Sequence, residues 1–280
     1  MFLSNDLTSI TPGKNILFAD DAVFYITERS LSSCIEKVIF LLDELSKWME
    51  NNKLTINTDK TKLMLFTPHK IDILPEISLN GNKLEWVNSI EYLGIVLDDK
   101  LSFVPQSKEV IRALSKLHGI FYAMKNLLPQ NILLIIYNSL VASAVTQHII
   151  IWGGIAAVHV NKIEVLMNKI LRCILDVRFE DYLPLIHTTD MYKTLNILKY
   201  HDIYELNLLK FIHSISYFNH DFFFRYYYPL LPSHNYETRG VRISLPSTRL
   251  DIEKQLHCFN HVNCTMRYLR NSLNLTQGDC

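Results

Sequence analysis

Glycine and proline are scarce in this chain, 8 and 9 among 280 residues, and no Pro-, Gly- or Ser-rich tract interrupts it. Collagen-like, mucin-like and flexible-linker classes are excluded by that scarcity. Neither sign of charge is in excess, because 28 Lys+Arg balance 28 Asp+Glu, so the whole chain does not have the charge of a free-standing electrostatic nucleic-acid binder. Cysteine is sparse and odd in number. Cys34, Cys173, Cys258, Cys264 and Cys280 form no CxxC pair and follow no secretory pattern, which points to a reducing, intracellular compartment without distinguishing nucleus from cytoplasm. What the chain does have is apolar material. At 49% hydrophobic residues it can build a sizeable core in one or two domains.

Charge is absent altogether between Asn126 and Asn161, and the portion Ile132 to Trp152 has the length of a membrane span. Asn138, Gln147 and His148 would sit in hydrocarbon without partners, and no anchoring charge follows Gly153-Gly154. A buried helix is therefore favoured, and no membrane is expected as a partner. Around this stretch, from residue 101 to 180, cations outnumber carboxylates: Lys108, Arg112, Lys116, Lys125, Lys162, Lys169, Arg172 and Arg178 against Glu109, Glu164, Asp176 and Glu180.

The periodicity predicts an α+β chain, with hairpins before about residue 104 and helices after it. Asn15 to Phe18 and Ala22 to Ile26 read as two strands joined at Ala19-Asp20-Asp21. Ser33 and Glu36 have capping-box spacing at the start of a helix that Asn51-Asn52 should end. Strands are expected at Leu54 to Asn57, Leu63 to Phe66, Ile77 to Leu79 and Leu84 to Val87, the last two about an Asn80-Gly81 turn, and a further strand at Tyr92 to Leu97. Helices are expected from Ser107 to Leu127, Gln130 to Trp152, Asn161 to Leu175 and Asp190 to Phe218, with one more from Glu253 to Leu273.

Adjacent residues of a strand point to opposite faces, so two neighbouring carboxylates can serve one centre only where the chain turns. Asp20-Asp21 meets that condition, and hard carboxylate oxygens suit Mg²⁺; a plain Asp-rich turn is the alternative. Asp98-Asp99, followed by the counter-charge Lys100, reads as a solvated turn. Lys108, Arg112 and Lys116 fall four residues apart and share one helix face, which could follow phosphates or simply face water. His257, His261 and Cys264 stand on one face of the last expected helix with Cys258 beside them, but the spacing is not a zinc-knuckle pattern and no fourth ligand is evident, so zinc is not expected.

Phe18-Ala19-Asp20-Asp21 between apolar runs resembles the YADD/FADD box, motif C of reverse transcriptases. The order of the segments downstream of it is similar to the reverse transcriptase (RNA-directed DNA polymerase) of jockey-like non-LTR retrotransposons. Leu54-Thr55-Ile56-Asn57 with Lys60-Thr61-Lys62 resembles motif D. Tyr92-Leu93-Gly94-Ile95 with Asp98-Asp99-Lys100-Leu101 resembles the primer-grip strand and its turn. Ile136-Tyr137-Asn138-Ser139-Leu140 with Ile151-Trp152-Gly153 is similar to the thumb, and His234 to Arg239 with Leu245-Pro246 to the C-terminal tail.

The resemblance implies a partial antiparallel palm over 1–104, a helical thumb over 105–180 and a helical or irregular tail over 181–280. It implies catalytic and metal-binding roles for Asp20 and Asp21, with Asp20 the firmer ligand of a two-metal nucleotidyl-transfer centre. Lys60 would neutralise or protonate the departing pyrophosphate, Tyr92, Leu93 and Gly94 would shape the primer-holding strand, and Lys108, Arg112 and Lys116 would contact nucleic acid. The implied partners are an RNA template, a DNA primer and deoxynucleoside triphosphates, and the implied cofactor is Mg²⁺, or Mn²⁺, once the centre is completed.

Asn5-Asp6-Leu7 resembles the segment just before motif C, and motifs A and B have no counterpart. The chain is therefore expected to be a truncated portion of such an enzyme, inactive alone and prone to self-association through an exposed palm edge. The competing reading is a non-catalytic nucleic-acid-binding or helical interaction protein derived from the element, its Asp20 hairpin vestigial.

Overall fold

A computed structural model describes residues 14–19, 21–69, 71–175 and 187–217. Its short ladders lie before residue 99 with one helix among them, and only helices follow, the segregation that an α+β class shows. The expected tail motif at His234 to Arg239 and the helix with His257, His261 and Cys264 lie outside the described residues, as does Asp20. Two compact units meet in sequence between Ser89 and Ile90.

In the first unit, β1 (Lys14–Phe18) and β2 (Asp21–Tyr25) form an antiparallel hairpin. Helix α1 (Leu31–Asn51) comes next and buries Leu41, Leu42, Leu45 and Trp48. Its cap is Ser30, not Ser33: the Ser33 backbone N–H donates to the Ser30 hydroxyl at 3.3 Å, satisfying one of the donors that a helix start leaves open. Ser33 lies inside the first turn and its hydroxyl donates instead to Glu28, whose carboxyl is held below the usual carboxylate range by its hydrogen bond from Lys37. The helix stops where expected, with the Asn52 amide donating back to the Trp48 carbonyl at 2.8 Å.

Sheet structure in this unit is slight. The Asn80-Gly81 turn joins β4 (Ser78–Leu79) to β5 (Asn82–Lys83), with φ of 51° and 80° at its two centres; both positive angles belong to the tight hairpin turn that Asn-Gly favours. Leu54 to Asn57 forms no strand, contrary to expectation, and only β3 (Lys62–Leu63) of the following segment pairs, in parallel, with β6 (Glu85–Trp86). The reason lies in Asn57. Its side-chain oxygen accepts from the backbone of Asp59 and Lys60, and its carbonyl accepts from Lys60 and Thr61, so the chain is turned by Asn-centred bonds rather than by a strand ladder. Two small clusters, Leu42 with Ile77, Leu79 and Leu84, and Leu45 with Trp48, make the buried centre.

The second unit opens with β7 (Ser89–Tyr92, all but its first residue in this unit) and β8 (Ile95–Asp98), paired across Leu93-Gly94. The expected continuous strand Tyr92 to Leu97 is therefore a bent hairpin. Helix α2 (Val104–Met124) is next, then a run in which one long helix was expected. It is broken into α3 (Gln130–Ile136), a π-helical turn (Tyr137–Ala142), α4 (Ser143–Thr146) and α5 (Ile149–Trp152), with His148 at φ 53° between the last two. Wide turns free backbone carbonyls. Here the hydroxyls of Ser139 and Ser143 donate back to carbonyls one turn earlier. No helix of the described residues is long and apolar enough to cross a membrane.

Helices α6 (Ala157–Ile174), α7 (Thr188–Thr194) and α8 (Tyr200–Tyr217) complete the unit, the last two divided at Asn196 with φ 52° where one helical region was expected. Ser107 bonds His159 at 3.2 Å near the starts of α2 and α6, and further along the pair Lys169 lies near His118. The two helices therefore run side by side in the same direction. Their facing residues, Leu114, Phe121, Ile163, Met167 and Ile170, are all fully buried, joined by Tyr137, Val141 and Trp152.

Candidate functional site

Phe18 and Asp21 face each other at the end of the first hairpin, leaving Ala19 and Asp20 as its connection, with Ala19 at φ 53°. Asp21 is exposed. Cross-strand partners share a face, so the register puts Leu17 and Phe24 on the side that packs against Leu45 and Trp48. The opposite side carries Asp21 among Ile16, Phe18 and Tyr25, all substantially exposed, Phe18 at 60%. Among the described residues no three His, Cys, Asp or Glu side chains converge in a way that could hold a metal ion. Mg²⁺ requires several oxygens, of which Asp21 is the source among the described residues of this tip.

Lys60 is exposed in the Asn57-centred turn of the same unit. That turn is anchored by Ile56, which packs against the Leu45–Trp48 cluster that also receives Leu17 and Phe24. One apolar support thus carries both the hairpin with Asp21 and the turn with Lys60.

In the second unit Tyr92, Leu93 and Gly94 occupy a hairpin tip. Leu93 has φ 50° and is 37% exposed, and Gly94 has φ 78°. A branched side chain rarely adopts that left-handed backbone, so the tip holds local strain. The Tyr92 hydroxyl is buried without a hydrogen-bond partner among the described residues. A Cβ at Gly94 would come within 2.9 Å of the Gln147 side-chain nitrogen, the movable end of an exposed side chain, so it is the φ of 78° that restricts position 94.

Asp98 corrects the expectation of a solvated acidic turn. It is 6% exposed and accepts hydrogen bonds from the Ser102 backbone and hydroxyl at 3.0 and 2.8 Å and from the Phe103 backbone at 2.8 Å. These bonds consume donors at the entrance to α2, where Phe103 itself, at φ 53°, offers no side-chain cap. Gln106 completes the junction, its side-chain oxygen accepting from the Val96 backbone at 2.9 Å.

Lys108, Arg112 and Lys116 all project from α2 into solvent, as their spacing predicts. Arg112 is engaged, bonding both carboxylate oxygens of Glu109 at 2.6 and 2.5 Å. On α6, Lys162, Lys169 and Arg172 are exposed as well. His118 titrates below its ordinary range because of burial and, secondarily, the nearby Lys169 charge. Sequence reasoning missed the contribution of Gln147 and His148, which the chain-distant contact with Gly94 brings to the hairpin tip; nothing local signals such a contact.

The chain is 28% identical over 158 residues to the RNA-directed DNA polymerase from mobile element jockey of Drosophila melanogaster, covering 55% of this chain and 17% of the relative. It is 27% identical over 174 residues to that of Drosophila funebris, with 60% and 19% covered. To the probable RNA-directed DNA polymerase from transposon BS of Drosophila melanogaster it is 26% identical over 192 residues, with 66% and 21% covered. The chain is thus a partial homologue of mobile-element RNA-directed DNA polymerases, and it spans about one fifth of the length of the curated relatives it matches. No family model matches it, and no solved structure does.

Proposed function

We propose that the chain contributes the C-terminal part of a mobile-element reverse transcriptase, acting inside the cell and holding a DNA primer on an RNA template. The similarity to RNA-directed DNA polymerases over 158 to 192 residues carries the reading. In it residues 1–104 are palm-derived, 105–180 thumb-derived and 181–280 the tail. Asp20 and Asp21 serve nucleotidyl transfer from deoxynucleoside triphosphates, Lys60 meets the leaving pyrophosphate, and the Tyr92-Leu93-Gly94 tip steadies the primer end. Exposed Lys108 and Lys116, with Arg112, meet backbone phosphates without reading bases.

Mg²⁺ or Mn²⁺ belongs to this centre only once carboxylates beyond Asp21 complete it, because no three-ligand cluster exists among the described residues. On this reading the chain alone binds without polymerising. The exposed Ile16, Phe18 and Tyr25 face supports self-association of the isolated product.

The test is titration of the full chain with a fluorescent DNA primer annealed to RNA, across a salt series, alongside primer extension in Mg²⁺. Binding should weaken linearly in logarithmic salt, and a Lys108→Ala/Lys116→Ala double variant should lower the slope by about two. Absence of binding at every salt overturns the reading; extension that Asp20→Ala abolishes overturns the inactivity of the chain alone.

A further inference from the structure

The Leu93-Gly94 tip and the Gln147-His148 turn meet in the second unit, although more than fifty residues of sequence separate them. A Cβ placed on Gly94 would lie 2.9 Å from the Gln147 amide nitrogen and 3.9 Å from the His148 ring, so the two turns are neighbours. Three left-handed residues gather there: Leu93 at φ 50°, Gly94 at 78° and His148 at 53°. Strained backbone persists only where the surroundings over-determine it.

Both turns are fixed from beneath. The fully buried Trp152 indole donates to the Gln147 carbonyl at 2.7 Å, and the Gln147 backbone N–H donates to the Ser143 carbonyl at 2.9 Å. The hairpin is held through buried Ile95 and through Gln106. Above these anchors, Leu93, Gln147 and His148 are exposed. An apolar tip flanked by two exposed side chains that carry N–H donors suits a sugar-phosphate backbone, whose sugar packs on carbon while phosphate oxygens accept.

We propose that the Gln147-His148 turn belongs to the same nucleic-acid contact surface as the hairpin tip, with His148 donating to a backbone phosphate of the primer–template. The proposal rests on the reading that the chain holds a primer–template, and it adds a second polypeptide segment to that contact.

The experiment exposes the full chain to diethyl pyrocarbonate with and without saturating DNA-primer/RNA-template duplex, and maps modified histidines by mass spectrometry. His148 should be protected by duplex. In titrations His148→Ala should weaken binding about fivefold, the worth of one such hydrogen bond, whereas His148→Asn, which keeps a donor and tolerates the left-handed backbone, should recover most of it. Equal modification of His148 with and without bound duplex overturns the proposal while leaving the primer–template reading intact. A wild-type chain that binds no duplex overturns both. Because protection is measured on the wild-type chain, instability of a variant cannot mask the answer.

Discussion

The two units differ in what holds them. In the first, small apolar clusters sit behind one hairpin of five-residue strands and two-residue ladders, and exposed ion pairs such as Lys47–Glu44 and Lys62–Glu85 decorate the outside. In the second, one continuous cluster runs from Ile95 through Phe121, Trp152 and Met167 to Tyr204. Exposed ion pairs contribute little, whereas each fully buried large side chain contributes on the order of 2–3 kcal/mol. The difference teaches that the segment resembling the catalytic box rests on the weaker scaffold, and the segment resembling the nucleic-acid clamp on the stronger. In denaturant the first unit should unfold before the second. Hydrogen exchange of the wild-type chain in a denaturant series, read on peptides of each unit, resolves the order.

Four perturbations would break or sharpen this contrast. Trp152→Ala should remove about 4 kcal/mol from the second transition and leave the first in place, because the indole is fully buried, stacks obliquely on Tyr200 at 6.2 Å and bonds the Gln147 carbonyl. A shift of both transitions would show the units to be one cooperative body. Alkali should act on the same unit. Burial raises the hydroxyl pKa of Tyr137 and Tyr200, and of Tyr192, above the ordinary tyrosine range. The folded state then retains protons that the unfolded state releases, so stability is constant below about pH 10 and falls above it, by on the order of 1 kcal/mol for each tyrosine at pH 11. Equal alkaline sensitivity of the first transition would contradict the assignment.

Asp98→Ala should cost about 2 kcal/mol, since three donors lose their acceptor in a buried place. If Asp98 were a solvated turn residue, the change would be nearly silent in thermal melts. The smallest effect is expected in the weaker unit, where Ser30→Ala should lower stability by about 1 kcal/mol through the loss of the α1 cap. Ser33→Ala should do less, which melting of the two variants side by side would check.

Local features were legible in the sequence. The first hairpin, the end of α1 at Asn51-Asn52, the Asn80-Gly81 turn and the exposure of Lys108, Arg112 and Lys116 each derive from residues within a few positions. Errors arose where distant contacts decide. Leu93 has no intrinsic preference for positive φ, so nothing in Tyr92 to Leu97 announces a bend there. Asp98 looks like its neighbour Asp99 until Ser102 and Phe103 fold back on it. The apolar run from Gln130 to Trp152 hides its break at Gln147-His148, which depends on Trp152 reaching back to the Gln147 carbonyl. Of the candidate centre, the turn that brings Asp21 into place could be read, while the support that Ile56, Leu45 and Trp48 lend to it could not.

Parallel alignment of α2 and α6 sets the order in which the second unit can be born. Helices that begin at Val104 and Ala157 cannot zip together from a shared loop, as antiparallel neighbours do. During synthesis, Leu114 and Phe121 leave the ribosome long before Ile163 and Met167 arrive to cover them. A nascent chain paused in that interval displays a bare apolar helix, and chaperone capture should peak there and subside once Ile174 has emerged.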